Sequence, residues 1–406
     1  MVETITDPEK IKEVLTRGVE KIYPSEEAFE KVLRSGKKIR LYCGFDPSAP
    51  TLHFGNAIQI RKLAQFQKLG HEVFFLIGDF TGMIGDPSDK SATRKKMKRE
   101  EVLKNSKKYQ EQASKFLDFS GSNPARILYN SEWSDKITFL DLIEITSNFT
   151  VQQMIVRDMF QERLKKNKPI HLHEFLYPIA QGYDSVAMDV DLEIGGADQT
   201  FNMLVGRDLM RIIKNKEKFV LANKLLADPS GKKMGKTEGN MITMEESPGE
   251  IYGKVMSWPD EKMESAFELL TDVSMAEIQK ISCQLKESQV NPRDIKARLA
   301  REIVTVFHSA EAAEAVEKEF NRVFKEKEKP SDIPVIKIPG MEEEISILDT
   351  VTIVAGLVES KSEAKRLIEQ GAVEIDGIVI KDWRAKLKIK KGSIIKVGKR
   401  KFARFI

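Results

Sequence analysis

Short apolar runs alternate with amphipathic stretches through the first half of the chain. The run at 72–78 (E-V-F-F-L-I-G) is almost continuously apolar, which is typical of a parallel strand buried on both faces. Other strand-like runs lie at 38–43, 126–129, 191–194 and 219–221. Between them, apolar residues such as Ala57, Leu63 and Phe66 have helical spacing. This alternation predicts an α/β fold with a doubly wound parallel sheet.

Helical patterns open the chain and dominate its later part. Asp7-Pro8 is a helix start with proline in the first turn. The predicted N-terminal helix carries Ile11, Val14, Leu15, Val19 and Ile22. Further helices are predicted at 139–146, 151–165 and 174–186. From about residue 239 to residue 332 the chain has helical patterns without strands, which predicts a separate helical domain.

The C-terminal segment combines a short helix with a hairpin. Ser360 and Glu363 form a capping-box pattern, and Gly371 ends the helix that they open. The alternating segment V-E-I-D-G-I-V-I at 373–380 contains an Asp-Gly turn, which strongly predicts a β-hairpin. This segment is therefore predicted to form a small α+β domain.

Positive charge is concentrated at the end of the chain. Residues 381–406 contain eleven Lys or Arg and a single acidic residue, Asp382, whereas the whole chain carries a net charge of only +4. A basic segment alone fits a solvated face as well as a binding surface. Trp383, Phe402 and Phe405 lie among these charges in strand-like segments, which favours contact with nucleic acid.

Composition narrows the class of protein. Hydrophobic residues make up 41% of the chain and charged residues 32%, as in globular proteins, and no apolar run is long enough for a membrane span. The N-terminus lacks a secretory signal pattern, so we expect a cytoplasmic protein. Cys43 and Cys283 are the two cysteines of the chain, which makes a disulfide framework implausible and excludes a cysteine-based zinc site.

Three predicted strands lead into glycine-rich turns. These are G-F-D-P-S-A-P at 44–50, D-F-T-G-M-I-G-D-P-S at 79–88 and G-G-A-D-Q at 195–199. The carboxyl ends of parallel strands meet at one edge, and helices that begin there present unpaired N–H groups suited to phosphate. The chain lacks both the G-x-G-x-x-G fingerprint with its acidic partner and the P-loop, which argues against a nicotinamide-dependent oxidoreductase.

Polar residues line one face of the helix predicted at 174–186. Tyr177, Gln181 and Asp184 lie at positions i, i+4 and i+7. Because buried polar groups need partners, this face points either to solvent or to a polar ligand.

Longer motifs carry a resemblance to a known family. The segment H-F-G-N at 53–56 resembles the HIGH signature of class I aminoacyl-tRNA synthetases, and K-M-G-K-T at 233–237 resembles their KMSKS signature. The strings at 42–56, 82–88 and 194–202 resemble those of bacterial tyrosyl-tRNA synthetases in the same order and spacing. The helix and V-x-I-D-G hairpin near the C-terminus resemble the S4 RNA-binding domain.

This resemblance implies a domain order and an assembly. A Rossmann-like catalytic domain would span 1–225, with an inserted helical dimerisation region at about 126–170. The signature loop and a helical anticodon-binding domain would span 226–328, a linker 329–342, and an S4-like domain 343–406. A homodimer is implied. The apolar residues of the inserted region fit ordinary core packing equally well, namely Val151, Met154, Ile155, Met159 and Phe160.

The implied reaction joins the carboxylate of tyrosine to the α-phosphorus of ATP, releases pyrophosphate, and then transfers the tyrosyl group to tRNA(Tyr). Mg²⁺ is expected as the metal of the substrate ATP, with no protein-bound metal or organic cofactor. The catalytic residues implied are His53, Asn56, Lys90, Arg94, Lys233, Lys236 and Thr237. The ATP-binding residues implied are Gly44, Asp46, Ser48, His53, Gly55, Asp198 and Lys236. The tyrosine-binding residues implied are Tyr42, Asp86, Tyr177, Gln181, Asp184 and Gln199.

Two departures from the family pattern and two alternatives remain. Asn56 replaces the second histidine of the first signature, and Gly235 replaces the serine of the second. A tryptophanyl-tRNA synthetase shares both signatures, but Tyr42, Asp184 and the S4-like segment argue against it. A catalytically inactive, synthetase-like RNA-binding protein is the other alternative, and the retained His53 and signature lysines argue for activity.

Overall fold

The computed structural model describes residues 2–88, 97–226, 241–324, 334–337, 344–354, 357–358, 360–398 and 401–406. The chain forms two compact units, residues 1–310 and residues 311–406. Among the described residues, no helix is both long enough and apolar enough to cross a membrane.

The first unit is built on a six-stranded mixed sheet. Its strands are β1 Val19–Tyr23, β2 Arg40–Phe45, β3 Glu72–Ile77, β4 Arg126–Tyr129, β5 Leu192–Gly196 and β6 Phe219–Asn223. They lie in the order β1-β6-β5-β2-β3-β4, and β2 to β6 pair in parallel. The chain runs outward from β2 through β3 to β4 and then returns to place β5 on the other side of β2. The doubly wound α/β prediction is therefore confirmed, with its switch point between β2 and β5.

The N-terminal segment differs from its prediction. Helix α1 (Pro8–Thr16) is capped by the side chain of Asp7, but it ends before Gly18, whose φ is +68°. Val19 and Ile22 then lie on β1, which pairs antiparallel with β6 at the edge of the sheet. The prediction that they continue the helix is wrong, because the left-handed turn at Gly18 redirects the chain. Helix α2 (Glu26–Arg34), which was not predicted, follows this strand.

Helices follow each of the strands β2 to β4 in the chain. Those that follow β2 to β4 are α3 Phe54–Lys68, α4 Thr81–Ile84, α5 Arg99–Ser106, α6 Tyr109–Ala113, α7 Ser131–Ser134, α8 Phe139–Thr146, α9 Val151–Ile155 and α10 Asp158–Lys165. The helix predicted at 151–165 is thus divided in two, because Arg157 has an extended backbone (ψ 134°).

The remaining helices of the first unit come from the second half of the chain. They are α11 Leu172–Met188, α12 Thr200–Lys214, α13 Pro248–Met256, α14 Met263–Leu270, α15 Met275–Lys286 and α16 Pro292–Phe307. The helices α13 to α16 belong to the same compact unit as the sheet. The domain boundaries proposed from the sequence remain predictions.

The second unit contains α17 Ala310–Phe324 and an α+β region. Its remaining elements are β7 Val335–Ile336, β8 Ile345–Ser346, α18 Ile347–Asp349, a π-helical turn at Thr350–Val354, α19 Lys361–Glu369, β9 Val373–Ile375, β10 Ile378–Ile380, β11 Lys386–Leu387, β12 Ile394–Val397 and β13 Lys401–Phe405. A five-stranded sheet has the order β10-β9-β12-β13-β7, and β8 pairs with β11.

The hairpin and capped helix of this unit have the predicted geometry. Asp376 and Gly377 both have positive φ (+49° and +85°), as a two-residue type I′ turn requires. The hydroxyl of Ser360 accepts a hydrogen bond from the N–H of Glu363. Phe405, which lies within the basic segment, is fully buried and packs in the core of the unit, so it supports the fold of this segment.

Candidate active site

A polar cavity lies at the switch point between β2 and β5. It is lined by the carboxyl ends of both strands, by the start of α3 and by α11. Every predicted site residue within the described ranges lines this cavity. These are Tyr42, Gly44, Asp46, Ser48, His53, Gly55, Asn56, Asp86, Tyr177, Gln181, Asp184, Asp198 and Gln199. The predicted residues Lys90, Arg94, Lys233, Lys236 and Thr237 lie outside the described residues.

Helix α3 begins at the mouth of the cavity with a capping box. The ring Nδ1 of His53 accepts a hydrogen bond from the N–H of Asn56 (3.3 Å), and the side-chain oxygen of Asn56 accepts one from the N–H of His53 (3.0 Å). A neutral imidazole whose Nδ1 is an acceptor carries its proton on Nε2. At Gly55, a side chain would place its Cβ 2.8 Å from Cε1 of His53, so glycine leaves room for the ring.

The segment that follows the second signature runs beside His53. The N–H of Phe54 donates to the carbonyl of Ile242 (3.0 Å), and the N–H of Met244 donates to the carbonyl of Leu52 (2.9 Å). Ile242 and Leu226 both line the cavity. The described residues on both sides of the segment that contains 233–237 therefore lie at the cavity.

At the opposite end, polar groups are deeply buried. We call Tyr42, Asp184 and Glu193 the inner end, since none is more than 2% exposed. We call Ser48, His53, Asn56 and Asp198 the outer end, since Ser48 is exposed and the other three are partly buried. The buried position of Asp184 and its place in the cavity wall show that the polar face of α11 points to the cavity. The solvent alternative is thereby excluded.

The inner end is supported by hydrogen bonds. Asp184 accepts from Nε1 of Trp133 (2.8 Å) and from Nδ2 of Asn130 (3.3 Å). Burial raises the pKa of Asp184 well above its usual range, and these two donors oppose the shift because they favour the charged carboxylate. Burial likewise raises the pKa of Tyr42, so its phenol stays protonated. The carboxylate of Asp184 can therefore accept a hydrogen bond from a ligand hydroxyl, and the hydroxyl of Tyr42 can donate one to it.

Two further carboxylates, Asp46 and Asp86, line the cavity and are partly buried. Asp46 accepts from the hydroxyl of Tyr177 (2.8 Å) and from that of Thr81 (2.7 Å). Asp86 accepts from Nε2 of Gln199 (2.7 Å) and from the backbone N–H of Ser88 (2.9 Å). Two anchored carboxylates make the cavity suited to a cationic group such as an ammonium.

The sequence prediction missed residues that hold the site together. Trp133 and Asn130 bind Asp184, and Ser185 contacts the hydroxyl of Tyr42 (2.9 Å). Two other missed residues, Glu193 and Lys218, could have been found from the sequence. Glu193 lies inside the apolar run L-E-I, and Lys218 directly precedes the apolar run F-V-L. Buried charges in such positions need a partner.

The family assignment agrees with this architecture. Residues 34–325 match the family of class I tRNA synthetases (W and Y), and residues 348–391 match the S4 domain. The chain therefore belongs to the class I tRNA synthetases.

Within this class, the similar proteins are tyrosine–tRNA ligases. The chain is 46% identical to that of Carboxydothermus hydrogenoformans over 403 residues, which cover 97% of each chain. It is 44% identical to that of Thermotoga maritima, over 98% of this chain and 97% of the relative. A solved tyrosyl-tRNA synthetase from Archaeoglobus fulgidus, complexed with L-tyrosine, has a TM-score of 0.59 at 20% identity and covers 77% of this chain and 100% of its own. That likeness concerns the fold alone.

Proposed function

We propose that this chain is a tyrosine–tRNA ligase, which forms tyrosyl-adenylate from L-tyrosine and ATP and then transfers the tyrosyl group to the 3′ end of tRNA(Tyr). The observation that carries the proposal is the cavity at the switch point, which brings together all the described residues that the family resemblance implies. Relatives that are 46% and 44% identical over nearly the full chain carry the same activity in their names.

The inner end would bind the phenol of tyrosine. Asp184 would accept from its hydroxyl, and Tyr42 would form the second hydrogen bond. Both groups are withdrawn from water, so phenylalanine, which lacks the hydroxyl, would leave them unpaired. Sites that bind a substrate hydroxyl in this way reject the analogue without it strongly, and tyrosyl-tRNA synthetase is itself the standard example of such rejection.

The middle of the cavity would bind the ammonium group of tyrosine. Asp86, Tyr177, Gln181 and Gln199 line it, and Asp86 and Gln199 already share a hydrogen bond (2.7 Å). In this position the substrate carboxylate would point towards the outer end, where the nucleotide is expected.

The outer end would bind ATP and stabilise its transition state. His53 would donate from Nε2 to phosphate, with Ser48 and Asn56 beside it, Gly44, Asp46 and Gly55 shaping the wall, and Asp198 accepting from the ribose. Negative charge accumulates on the phosphorus and on pyrophosphate during adenylate formation, so positioned donors and cations supply the catalysis. No covalent nucleophile is needed.

Lysines outside the described residues would complete the outer end. Lys233, Lys236 and Thr237 would contact the phosphates from a segment whose flanking residues line the cavity, and Lys90 and Arg94 would reach pyrophosphate. Mg²⁺ would arrive with ATP as part of the substrate. Among the described residues, no cluster of three His, Cys, Asp or Glu has a metal-binding arrangement.

The chain would act as a cytoplasmic homodimer that binds tRNA through its helical and S4-like segments. Four apolar residues in and around the inserted region are between 64% and 83% exposed, namely Phe139, Leu140, Val151 and Leu172. Such a set favours a protein partner. Met154, Met159 and Phe160, in contrast, are buried within their own chain and serve as ordinary core.

ATP–pyrophosphate exchange tests this proposal. We expect exchange with tyrosine, and not with phenylalanine or tryptophan, and we expect its loss in Lys236→Ala but not in the control Lys214→Ala, whose side chain is exposed on α12. Exchange with tryptophan would identify the other activity of the class. No exchange with any of the three amino acids would instead favour an inactive RNA-binding protein.

A further inference from the structure

A buried lysine stands directly behind the inner end. Lys218 is fully buried and forms an ion pair with Glu193. Its Nζ also donates to the hydroxyl of Ser185 (2.8 Å) and to the carbonyl of Met203 (3.2 Å). A Cβ at Gly206 would lie 2.6 Å from this Nζ, so the glycine on α12 makes space for the ammonium group. The surroundings thus leave room for the Nζ of Lys218 and supply three oxygen partners to it.

Glu193 connects this lysine to the cavity. Its Oε1 accepts from Nε2 of Gln181 (3.0 Å), which is one of the residues proposed for the ammonium of tyrosine. Its Oε2 faces both Lys218 and the hydroxyl of Ser185, at 3.4 Å from the latter. Glu193 lines the cavity, whereas Lys218 and Ser185 stand behind its wall. One carboxylate therefore links the phenol side and the ammonium side of the site.

The direction of the hydrogen bonds follows from the charges. The hydroxyl of Ser185 accepts from the ammonium of Lys218, and its own proton is directed to the oxygen of Tyr42 (2.9 Å), a shorter contact than that with Glu193 (3.4 Å). In this arrangement the hydroxyl of Tyr42 accepts from Ser185 and keeps its own proton to donate to the ligand hydroxyl, from which Asp184 accepts. The orientation of the Tyr42 hydroxyl is then set, through Ser185, by Lys218, which does not line the cavity.

We propose that Lys218 and Glu193 are positioning residues for tyrosine, which fix the amide of Gln181 directly and the hydroxyl of Tyr42 through Ser185. This inference rests on the proposed function, because it concerns how the same cavity selects its amino acid. The pair would act on amino-acid binding and on the discrimination between tyrosine and phenylalanine, and not on the binding of ATP.

Lys218→Met is the first test, because it leaves Glu193 buried without its cation. We expect the Kd for tyrosine to rise at least about tenfold, because a buried hydrogen-bonded charge loses its partner. The ratio of kcat/KM for tyrosine to that for phenylalanine should fall, and the KM for ATP should stay unchanged. The control Lys216→Met removes a lysine two residues away that pairs with Asp189 and Asp191, and it should leave the ratio as in the parent chain.

The double variant Lys218→Met/Glu193→Gln provides the second readout. It removes both charges, so it should regain part of the tyrosine affinity that Lys218→Met loses, whereas two independent structural defects would add. If Lys218→Met does not fold, Glu193→Gln and Ser185→Ala test the same chain of contacts with smaller changes of shape, and both should lower the tyrosine-to-phenylalanine ratio.

The outcomes separate this inference from the proposed function. Exchange in the parent chain is measured first, and failure with tyrosine there removes both proposals. If the parent chain shows exchange with tyrosine but folded Lys218→Met or Glu193→Gln has an unchanged tyrosine-to-phenylalanine ratio, only the positioning role is overturned. A lower melting temperature without a change in that ratio would show that the pair serves stability only.

Discussion

The inner and outer ends of the cavity are built in different ways. At the inner end, Tyr42, Asp184 and Glu193 come from β2, α11 and β5 and are almost completely buried. Tyr42 is hydrogen-bonded to Ser185, Asp184 accepts two hydrogen bonds, and Glu193 accepts one from Gln181 and forms an ion pair with Lys218. At the outer end, His53 caps α3 and Asp198 lies within a short 3₁₀ turn (Ala197–Gln199), and both are only partly buried. The residues of the inner end are positioned by the buried core, whereas those of the outer end are positioned by turns that follow the strands.

This difference matches the two tasks of the proposed reaction. Selection of an amino acid requires polar groups that are preorganised and shielded from water before the substrate binds. Stabilisation of the charge that develops on phosphorus requires donors that contact the transition state more strongly than the ground state. We therefore expect variants of the inner end to weaken binding and variants of the outer end to slow the chemical step.

Asp184→Asn should have the largest effect. The substitution removes a carboxylate that would accept from the phenol, so kcat/KM for tyrosine should fall about 1,000-fold, as for loss of a buried charge-assisted hydrogen bond. ATP–pyrophosphate exchange over a range of tyrosine concentrations measures it. Asp189→Asn, at the partly exposed end of α11, is the matched control and should retain the parent value.

His53→Ala should have the next largest effect, and on a different quantity. Loss of a donor that acts on phosphate should lower kcat for adenylate formation about 100-fold with little change in the KM for tyrosine. His171→Ala, on a histidine outside the cavity, is the control. A raised KM for tyrosine with unchanged kcat would place His53 in ground-state binding instead.

Tyr42→Phe should have a smaller effect at the inner end. It removes one neutral hydroxyl and keeps the ring in the core, so kcat/KM for tyrosine should fall about tenfold. The value for phenylalanine should fall less, so the discrimination between the two amino acids should shrink. Equal losses for both substrates would mean that the hydroxyl supports the fold rather than the selection.

Lys62→Met should have the smallest effect, and on stability alone. Burial lowers the pKa of Lys62, a residue of α3 whose Nζ donates to the carbonyls of Val14 and Arg17, from 10.5 to about 7. Between these values the unfolded chain binds more protons than the folded chain, so this group adds stability as pH rises from 7 towards 10, by no more than about 1.4 kcal/mol per pH unit.

The Lys62→Met variant lacks this gain. Urea unfolding at pH 7, 8 and 9 should therefore show the parent gaining stability relative to Lys62→Met, whereas the exposed Lys68→Met on the same helix should follow the parent. A constant difference between the parent and Lys62→Met would show that Lys62 does not titrate in this range.

The elements that position the site could be read from the sequence, whereas their supports could not. Apolar runs located β2 to β6, and the glycine-rich turns located the wall of the cavity, because both depend on local pattern. The edge strand β1 was missed because Val19 and Ile22 also fit a helical period and only Gly18 separates them from α1. Local pattern cannot show where a chain turns back to pair with a distant strand.

The same limit applies to the inner end. Tyr42 and Asp184 were recognised through motifs, but Ser185, Glu193 and Lys218 meet only because α11, β5 and the start of β6 pack together. Phe405 illustrates the reverse case, since a residue within a basic segment packs into the core. Side-chain partners across the sheet are decided by tertiary packing, for which the sequence carries no local signal.

The dissociation constant for tyrosine in the absence of ATP tests the division between the two ends most directly. It should be measured for Asp184→Asn and Tyr42→Phe at the inner end and for His53→Ala and Lys236→Ala at the outer end. We expect both inner variants to bind tyrosine more weakly, and both outer variants to bind it as the parent does while forming adenylate slowly. Tyrosine binding weakened as much by His53→Ala as by Asp184→Asn would show that amino-acid binding is not confined to the inner end.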